Sequence, residues 1–196
     1  LKYVGVKNLS CKFSGNKGFH IGVPFEAFPE KVGDKLTKNL FPEAPKKIAL
    51  YVAENIKEEL SKRILAHENN DFNLVKEKVE QEDIIKYETS EGNKVPKLDI
   101  DKFLEIDTVL ISSRHLYRMP YSFHEKSGLV SLPIDPDKVI QFEKPMAKPE
   151  GILTSMFTFL DRNVTEECAR RLLVQALDFE VKIEEEREIE KEFEEL

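Results

Sequence analysis

The sequence predicts an α+β protein. Short strands of a mixed or antiparallel sheet flank a helical insertion, and a helix closes the C-terminus. Three observations predict this. Apolar Phe19, Ile21 and Val23 alternate with small or polar residues directly after a glycine-rich turn. A second apolar run, Leu129, Val130, Leu132 and Ile134, follows Glu125-Lys126-Ser127-Gly128, whose composition suits a hairpin turn. Between the two, Ile48, Val52, Ile56, Leu60 and Ile64 recur every four residues, the spacing of one helix face.

Taken in order, residues 1–12 read as a short strand with Val4, Val6 and Leu9 facing inward. Residues 13–18 are the turn, and Phe19, Ile21 and Val23 mark the core face of the strand that leaves it. Pro24 to Pro29 stops that strand. Val32, Leu36 and Leu40 predict a helix from Glu30 to about Phe41. Ala44 to Ala66 is the clearest helix, with Pro45 in its first turn and Lys57, Glu58, Glu59, Lys62 and Arg63 on its solvated side. His67 sits at its end. Asn69 to Tyr87 reads as a further amphipathic segment through Phe72, Val75, Val79, Ile84 and Ile85. Thr89 to Lys97 has loop composition. The expected organisation is a core of residues 1–150, with residues 30–105 as a helical insertion, and a C-terminal helical segment of residues 151–196. In that segment Thr165 is placed to cap a helix carrying Ala169, Leu172, Leu173, Ala176 and Leu177. Arg170 and Arg171 fall on its surface.

At 196 residues and 40% hydrophobic content the chain can bury one core, or one with an appended sub-domain. Its net charge of −7 argues against a general nucleic-acid coat. That charge is uneven: eight glutamates and two basic residues lie between Glu184 and Leu196, and the remainder is close to neutral. The two cysteines, Cys11 and Cys168, cannot build a zinc knuckle alone and are expected to be reduced and inert. No signal peptide or membrane-length apolar run is present. The chain opens on Leu1 rather than Met, which suggests a piece of a longer protein.

Chemistry concentrates in two stretches. Ser14-Gly15-Asn16-Lys17-Gly18-Phe19-His20 packs a hydroxyl, an ammonium and an imidazole among two glycines. Its backbone can expose N–H groups to an anion, and Ser14, Lys17 and His20 add donors, so a phosphate chain is the natural ligand. The same residues also make an ordinary tight turn, and the spacing is not that of a P-loop. About a hundred residues later, Arg118, Ser122, His124 and Lys126 lie within nine residues, broken by Pro120 and Gly128. Arg118 offers phosphate a planar fork. Asp99 and Asp101 could place two carboxylates on one strand face, about 7 Å apart, or could cap a helix over Lys102–Glu105. Asp107 follows Ile106 as a single acid.

Together, SGNKGFHIGV and HLYRMPYSFHEKSGLVSLPID resemble the catalytic small subunit of archaeal and eukaryotic DNA primase. The wider archaeo-eukaryotic primase superfamily also includes the polymerase domain of bacterial end-joining ligases, so the resemblance leaves a repair or end-joining polymerase as an alternative. The family pattern runs S-G-x-[RK]-G-x-H on one strand, then an apolar-Asp, then [RK]-x-P-x-S-x-H-x-K-[ST]-G. The resemblance implies a primase-type catalytic core that makes short RNA or DNA primers by template-directed nucleotidyl transfer. It implies that Ser14, Lys17 and His20 bind the triphosphate of an incoming NTP or dNTP. Arg118 and His124 would hold it from the other side, with Ser122 and Lys126 lining the site. Asp107 would be the catalytic metal-binding acid, with Asp99 and Asp101 as runners-up, and the ions would be Mg2+ or Mn2+. The implied partners are a single-stranded DNA template and a large primase subunit. No membrane is involved, and the implied compartment is cytoplasmic or nuclear. The stripe Ile183, Ile189 and Phe193 could dock that subunit. One departure stands out: the family's first Asp-x-Asp motif precedes the S-G strand, and here no acid precedes Ser14. The expected causes are a missing N-terminal part, a partner that supplies the acids, or a non-catalytic nucleotide- or DNA-binding module.

Overall fold

The computed structural model describes residues 1–79, 83–90, 93–109, 111–114, 116–154, 157–179 and 183. It is an α+β fold of small antiparallel sheets and helices. The sheet that carries the site has three strands. Central β1 (Ser10–Phe13) pairs antiparallel with β2 (Phe19–Gly22) on one side and with β7 (Pro133–Ile134) on the other. Residues 133–134 therefore return across the whole insertion to close against the first strand. The hairpin expected before them forms: Phe123 bridges Val130, and Gly128 turns the chain with φ +69°.

Register assigns the sheet faces. Lys12 lies opposite His20 and Pro133, and Ser10 lies opposite Gly22. Side chains alternate along a strand, so Ser10, Lys12, His20 and Gly22 share one face. Cys11, Phe13, Phe19 and Ile21 take the other. This corrects the expected core face of β2. Phe19 and Ile21 are 40% and 63% exposed, whereas Gly22 is buried. The reason is that β2 is an edge strand, and residues 159–160 cover the opposite face. A Cβ on Gly22 would stand 2.7 Å from Leu160 Cδ2 and 3.0 Å from Phe159 Cζ. Phe19 still packs its ring with Phe13 and Phe142, at centroid distances of 5.8 and 5.4 Å.

The long helix α1 (Glu43–His67) forms as its four-residue period predicts. Its 25 residues span roughly 37 Å, and it serves two cores. Its first half brings Ile48, Tyr51 and Val52 to a cluster of Val4, Val6, Ala27, Ala169 and Leu172. Its second half brings Leu60, Ile64 and Leu65 to Val75, Ile84, Leu98 and Ile100. Val4 and Val6 are thus inward, as expected, although Lys2–Val4 is a 3-10 turn rather than a strand.

The rest of residues 30–105 is less helical than its spacing predicts. Glu30–Phe41 is not a helix. β3 (Lys31–Val32) and β4 (Lys35–Leu36) make a small hairpin around Gly33, whose φ of +55° turns the chain, and Thr37–Leu40 is a 3-10 helix. The segment after Asn69 holds only α2 (Phe72–Val79). Beyond it Ile84 is fully buried, and the β-branched Ile85 starts β5 (Ile85–Ser90). The expected loop over Thr89–Lys97 is largely strand: Thr89 and Ser90 end β5, and residues 93–97 belong to β6 (Asn93–Leu98), with Ser90 paired to Asn93. Glu91 and Gly92 lie outside the described residues. Pro96 is tolerated because a two-stranded sheet has only edge strands.

The C-terminal helix α3 covers 170–179, later than a Thr165 cap would set. Asn8 accepts the Thr165 N–H at 2.8 Å, and Glu167 takes a φ of +54°, which interrupts any right-handed helix from 166. Ala169, Leu172, Leu173 and Ala176 are buried, and Arg170 and Arg171 are exposed. Ile189 and Phe193 of the expected docking stripe lie outside the described residues. No described helix is long and apolar enough to cross a membrane.

Candidate functional site

The two chemistry-bearing stretches meet at the turn between β1 and β2. Gly15 has a φ of +95°, and a Cβ placed on it would stand 2.8 Å from His124 Cβ and 3.5 Å from Leu129 O. Only glycine lets the turn lie this close to the second hairpin. Ser127 Oγ donates to Gly15 O, and Phe13 N–H donates to Leu132 O at 2.8 Å. The turn is held internally as well. Ser14 N–H donates to Gly18 O at 2.8 Å, while Ser14 Oγ accepts from the N–H groups of Asn16 and Gly18, both at 3.3 Å. Lys17 projects from it, exposed and without a partner among the described residues.

A second junction lies along the sheet face of Lys12 and His20. The Lys12 side chain is fully buried. Its Nζ donates to Arg118 O and to Ser131 Oγ, each at 2.8 Å. The rings of Tyr117 and Phe159 stand 5.5 and 5.4 Å from it. Burial, with the nearby Arg118 charge, lowers the Lys12 pKa to about 8. His20 sits edge-on to Tyr117, with centroids 5.9 Å apart. Its pKa is pushed down by burial first and by Lys12 second, while Asp107 pulls it up. His20 is therefore neutral near pH 7, with a ring N–H to donate.

Arg118 is held in a ready posture. Nη1 donates to Phe123 O at 2.6 Å, and Nη2 pairs with the exposed Glu125 carboxylate. His124 N–H donates to Leu129 O at 2.8 Å, and His124 Nδ1 accepts the Lys126 N–H at 3.3 Å. The imidazole is thus oriented by the turn it begins, with Nε2 left to donate. Ser122 Oγ donates to Met119 O at 2.7 Å and so shapes the bend. Lys126 is exposed at the hairpin tip.

The acids divide. Asp107 is exposed and close enough to affect His20; its Oδ1 accepts the Val109 N–H at 2.9 Å. Asp99 and Asp101 belong elsewhere. Asp99 precedes the 3-10 turn Ile100–Lys102 and makes no side-chain cap, and Asp101 lies within that turn. Asp99 pairs with Lys86 at 2.7 Å, and Asp101 pairs with Lys57 at 2.9 Å. Those pairs fasten the β5–β6 hairpin to α1, so neither acid joins the phosphate-type donors. Among the described residues no three His, Cys, Asp or Glu side chains converge to hold an ion. A surface hollow between α1 and α2, lined by Ile64, Val75, Val79 and Phe103, is also separate. The groups on its rim are already engaged: Arg63 pairs with Glu59, Lys78 pairs with Glu68, and His67 Nδ1 lies 2.7 Å from Glu68 Oε1.

Residues 2–136, more than two thirds of the chain, match the family model described as DNA primase small subunit. The chain belongs to that family. Every residue of both stretches lies inside the matched range, and so do the groups that meet at Gly15 and at Lys12, apart from the ring of Phe159. No curated protein and no solved structure matches it.

Sequence reasoning missed Lys12, Ser127, Ser131 and the ring pair Tyr117 and Phe159. Lys12 carries a readable signal. It is a lysine in a short strand between Cys11 and Phe13, both of them buried. A charge in such a place needs a reason. The ring of Phe159 comes from outside both motifs, and no local pattern announces it.

Proposed function

We propose that this primase small subunit chain binds a nucleotide triphosphate between the β1–β2 turn and the Arg118–Val130 hairpin, for template-directed nucleotidyl transfer in primer synthesis. One observation supports the reading: Gly15 approaches His124, so the turn that carries Ser14 and Lys17 packs against the hairpin that carries His124, about a hundred residues later.

The roles follow from the donors. The 3.3 Å bonds from Asn16 and Gly18 to Ser14 Oγ are long for N–H donors. A phosphate oxygen can take those amides and the Ser14 hydroxyl together. Lys17 adds a point charge from the turn. Arg118 turns one arm from the exposed Glu125 to the phosphate, which is the better acceptor for a planar fork. His20 donates a ring N–H group, and His124 donates from Nε2, its Nδ1 being taken by the Lys126 N–H. Fixed donors of this kind stabilise charge that develops as pyrophosphate leaves. Ser122 and Lys126 hold and extend the hairpin wall.

Mg2+ or Mn2+ is the expected ion. The described residues do not make a site for two metal ions, since of the predicted acids only Asp107 stands beside the donors, and we derive no step through a metal. This same observation favours a second reading, a module that binds NTP or DNA without incorporating it. The expected macromolecular partners are a single-stranded DNA template and a large primase subunit.

The test is ATP-induced stabilisation followed by thermal melting. ATP raises Tm in the wild type, and Lys17→Ala and His124→Ala each reduce the rise. No rise at millimolar ATP sinks the reading. Primer synthesis on single-stranded DNA with Mg2+ or Mn2+ then separates the enzyme from the binding module.

A further inference from the structure

We propose that Lys12 is a positioning residue of this nucleotide site: it ties β1 to both limbs of the Arg118–Ser131 hairpin and so fixes where Arg118 and His124 stand. The inference rests on the triphosphate reading above.

The geometry is specific. One ammonium reaches Arg118 O on the outgoing limb and Ser131 Oγ on the returning limb, both at 2.8 Å. Ser131 Oγ passes the tie on to Phe13 O at 3.2 Å, and Ser131 N–H donates to Ser122 O at 2.8 Å. The outgoing limb carries Arg118, and the turn between the limbs carries His124. Without the tie, either limb can slide against the strand.

A neutral tie would do if stability were the only need. A fully buried ammonium is a poor choice for that purpose, because burial disfavours its charge. Among the described residues no carboxylate pairs with it. The groups facing it are Arg118 from the hairpin, His20 from β2, and the rings of Tyr117 and Phe159. Asp107 acts on His20 and not on Lys12. Among the described residues no anion balances the Lys12 charge, and a polyphosphate held by His20 and Arg118 supplies one. The ordinary state of Lys12 agrees with this: its pKa is lowered to about 8, and a bound anion would favour its charged form.

Two measurements of ATP affinity by calorimetry test the proposal. In the wild type, Kd should rise about tenfold from pH 7 to pH 9 as a group titrating near 8 loses its proton. Lys12→Met keeps the apolar stem and removes the donors. It should weaken ATP binding about ten- to a hundredfold at pH 7, and its Kd should be flat across that pH range. A Lys12→Met variant that binds ATP like the wild type, or that keeps the wild-type pH slope, overturns the inference and leaves the triphosphate reading standing. A wild type that does not bind ATP overturns both. If Lys12→Met does not fold, Ser131→Ala decides together with the wild-type pH profile. A weaker Kd and a tenfold slope support the tie; an unchanged Kd or a flat profile overturns it.

Discussion

Replacing Gly15 by alanine probes the junction that joins the two motifs. Two costs add. Gly15 has a φ of +95°, a region that costs an L-residue roughly 1–2 kcal/mol. Its new Cβ would also lie 2.8 Å from His124 Cβ, a backbone-near atom that no rotamer can move. Forcing a methyl into such a contact costs about 1–3 kcal/mol. The sum is about 2–5 kcal/mol. At about 2–4 °C per kcal/mol for a domain of this size, Tm should fall by about 4–20 °C. Two controls separate the terms. Gly128 has a φ of +69°, and a Cβ there would meet nothing within 4 Å, so Gly128→Ala should show the backbone cost alone. Gly18 has open space and no left-handed φ, so Gly18→Ala should be close to neutral. Thermal melting of all three, with and without ATP, gives the order Gly18, Gly128, Gly15 in lost stability. The ATP-induced rise should be smallest in Gly15→Ala. If Gly15→Ala loses no more stability than Gly128→Ala, the turn and the hairpin do not touch. If it loses stability yet keeps its full ATP response, they touch without forming one ligand site.

The other expectations follow from single contacts. Glu125→Gln releases one arm of Arg118 and should tighten ATP binding up to about fivefold at low salt, an effect that fades at high salt; a weaker Kd would mean that Glu125 orients Arg118 rather than competing for it. His20 has a folded pKa below its unfolded value, so as pH drops below the unfolded value the unfolded chain takes up a proton first. Stability is therefore lost on acidification, and Tm measured from pH 7.5 to 5 should decline less steeply in His20→Gln than in the wild type. Asp99→Asn should lower stability by about 1–2 kcal/mol, through loss of a mostly buried ion-pair partner, and leave the ATP response unchanged; a lost ATP response would return Asp99 to the site.

How much of the fold is legible in the sequence depends on how local each signal is. The helix α1 is legible because its period persists for 25 residues and no competing contact overrides it. The hairpin turn before Leu129 is legible because Gly128 occupies the left-handed position such a turn uses. The stretch after Glu30 misleads because three apolar residues at helical spacing carry less weight than one Gly-Asp turn between them. The β5–β6 hairpin misleads in the opposite sense, since a polar tip has the composition of a whole loop. The core face of β2 fails for a different reason. Alternation states that a strand has two faces, but which one is covered depends on residues 159–160, far along the chain.

The same distinction explains the site. The two motifs are readable because each packs its donors into a few residues. Lys12 is readable only in part, as a lysine between two apolar residues, because its meaning lies in partners 106 and 119 residues away. Donor-rich motifs can only grip one ligand if something fixes the distance between them. In this fold that distance is set twice: at the turn, by a missing side chain on Gly15, and on the sheet face, by a buried charge on Lys12. The first works by shape and has no pH dependence. The second works by charge and weakens as Lys12 loses its proton near pH 8. A double variant, Gly15→Ala with Lys12→Met, distinguishes one device from two. Independent ties give additive losses in ATP affinity; a single coupled element gives a double variant little worse than the weaker-binding single variant.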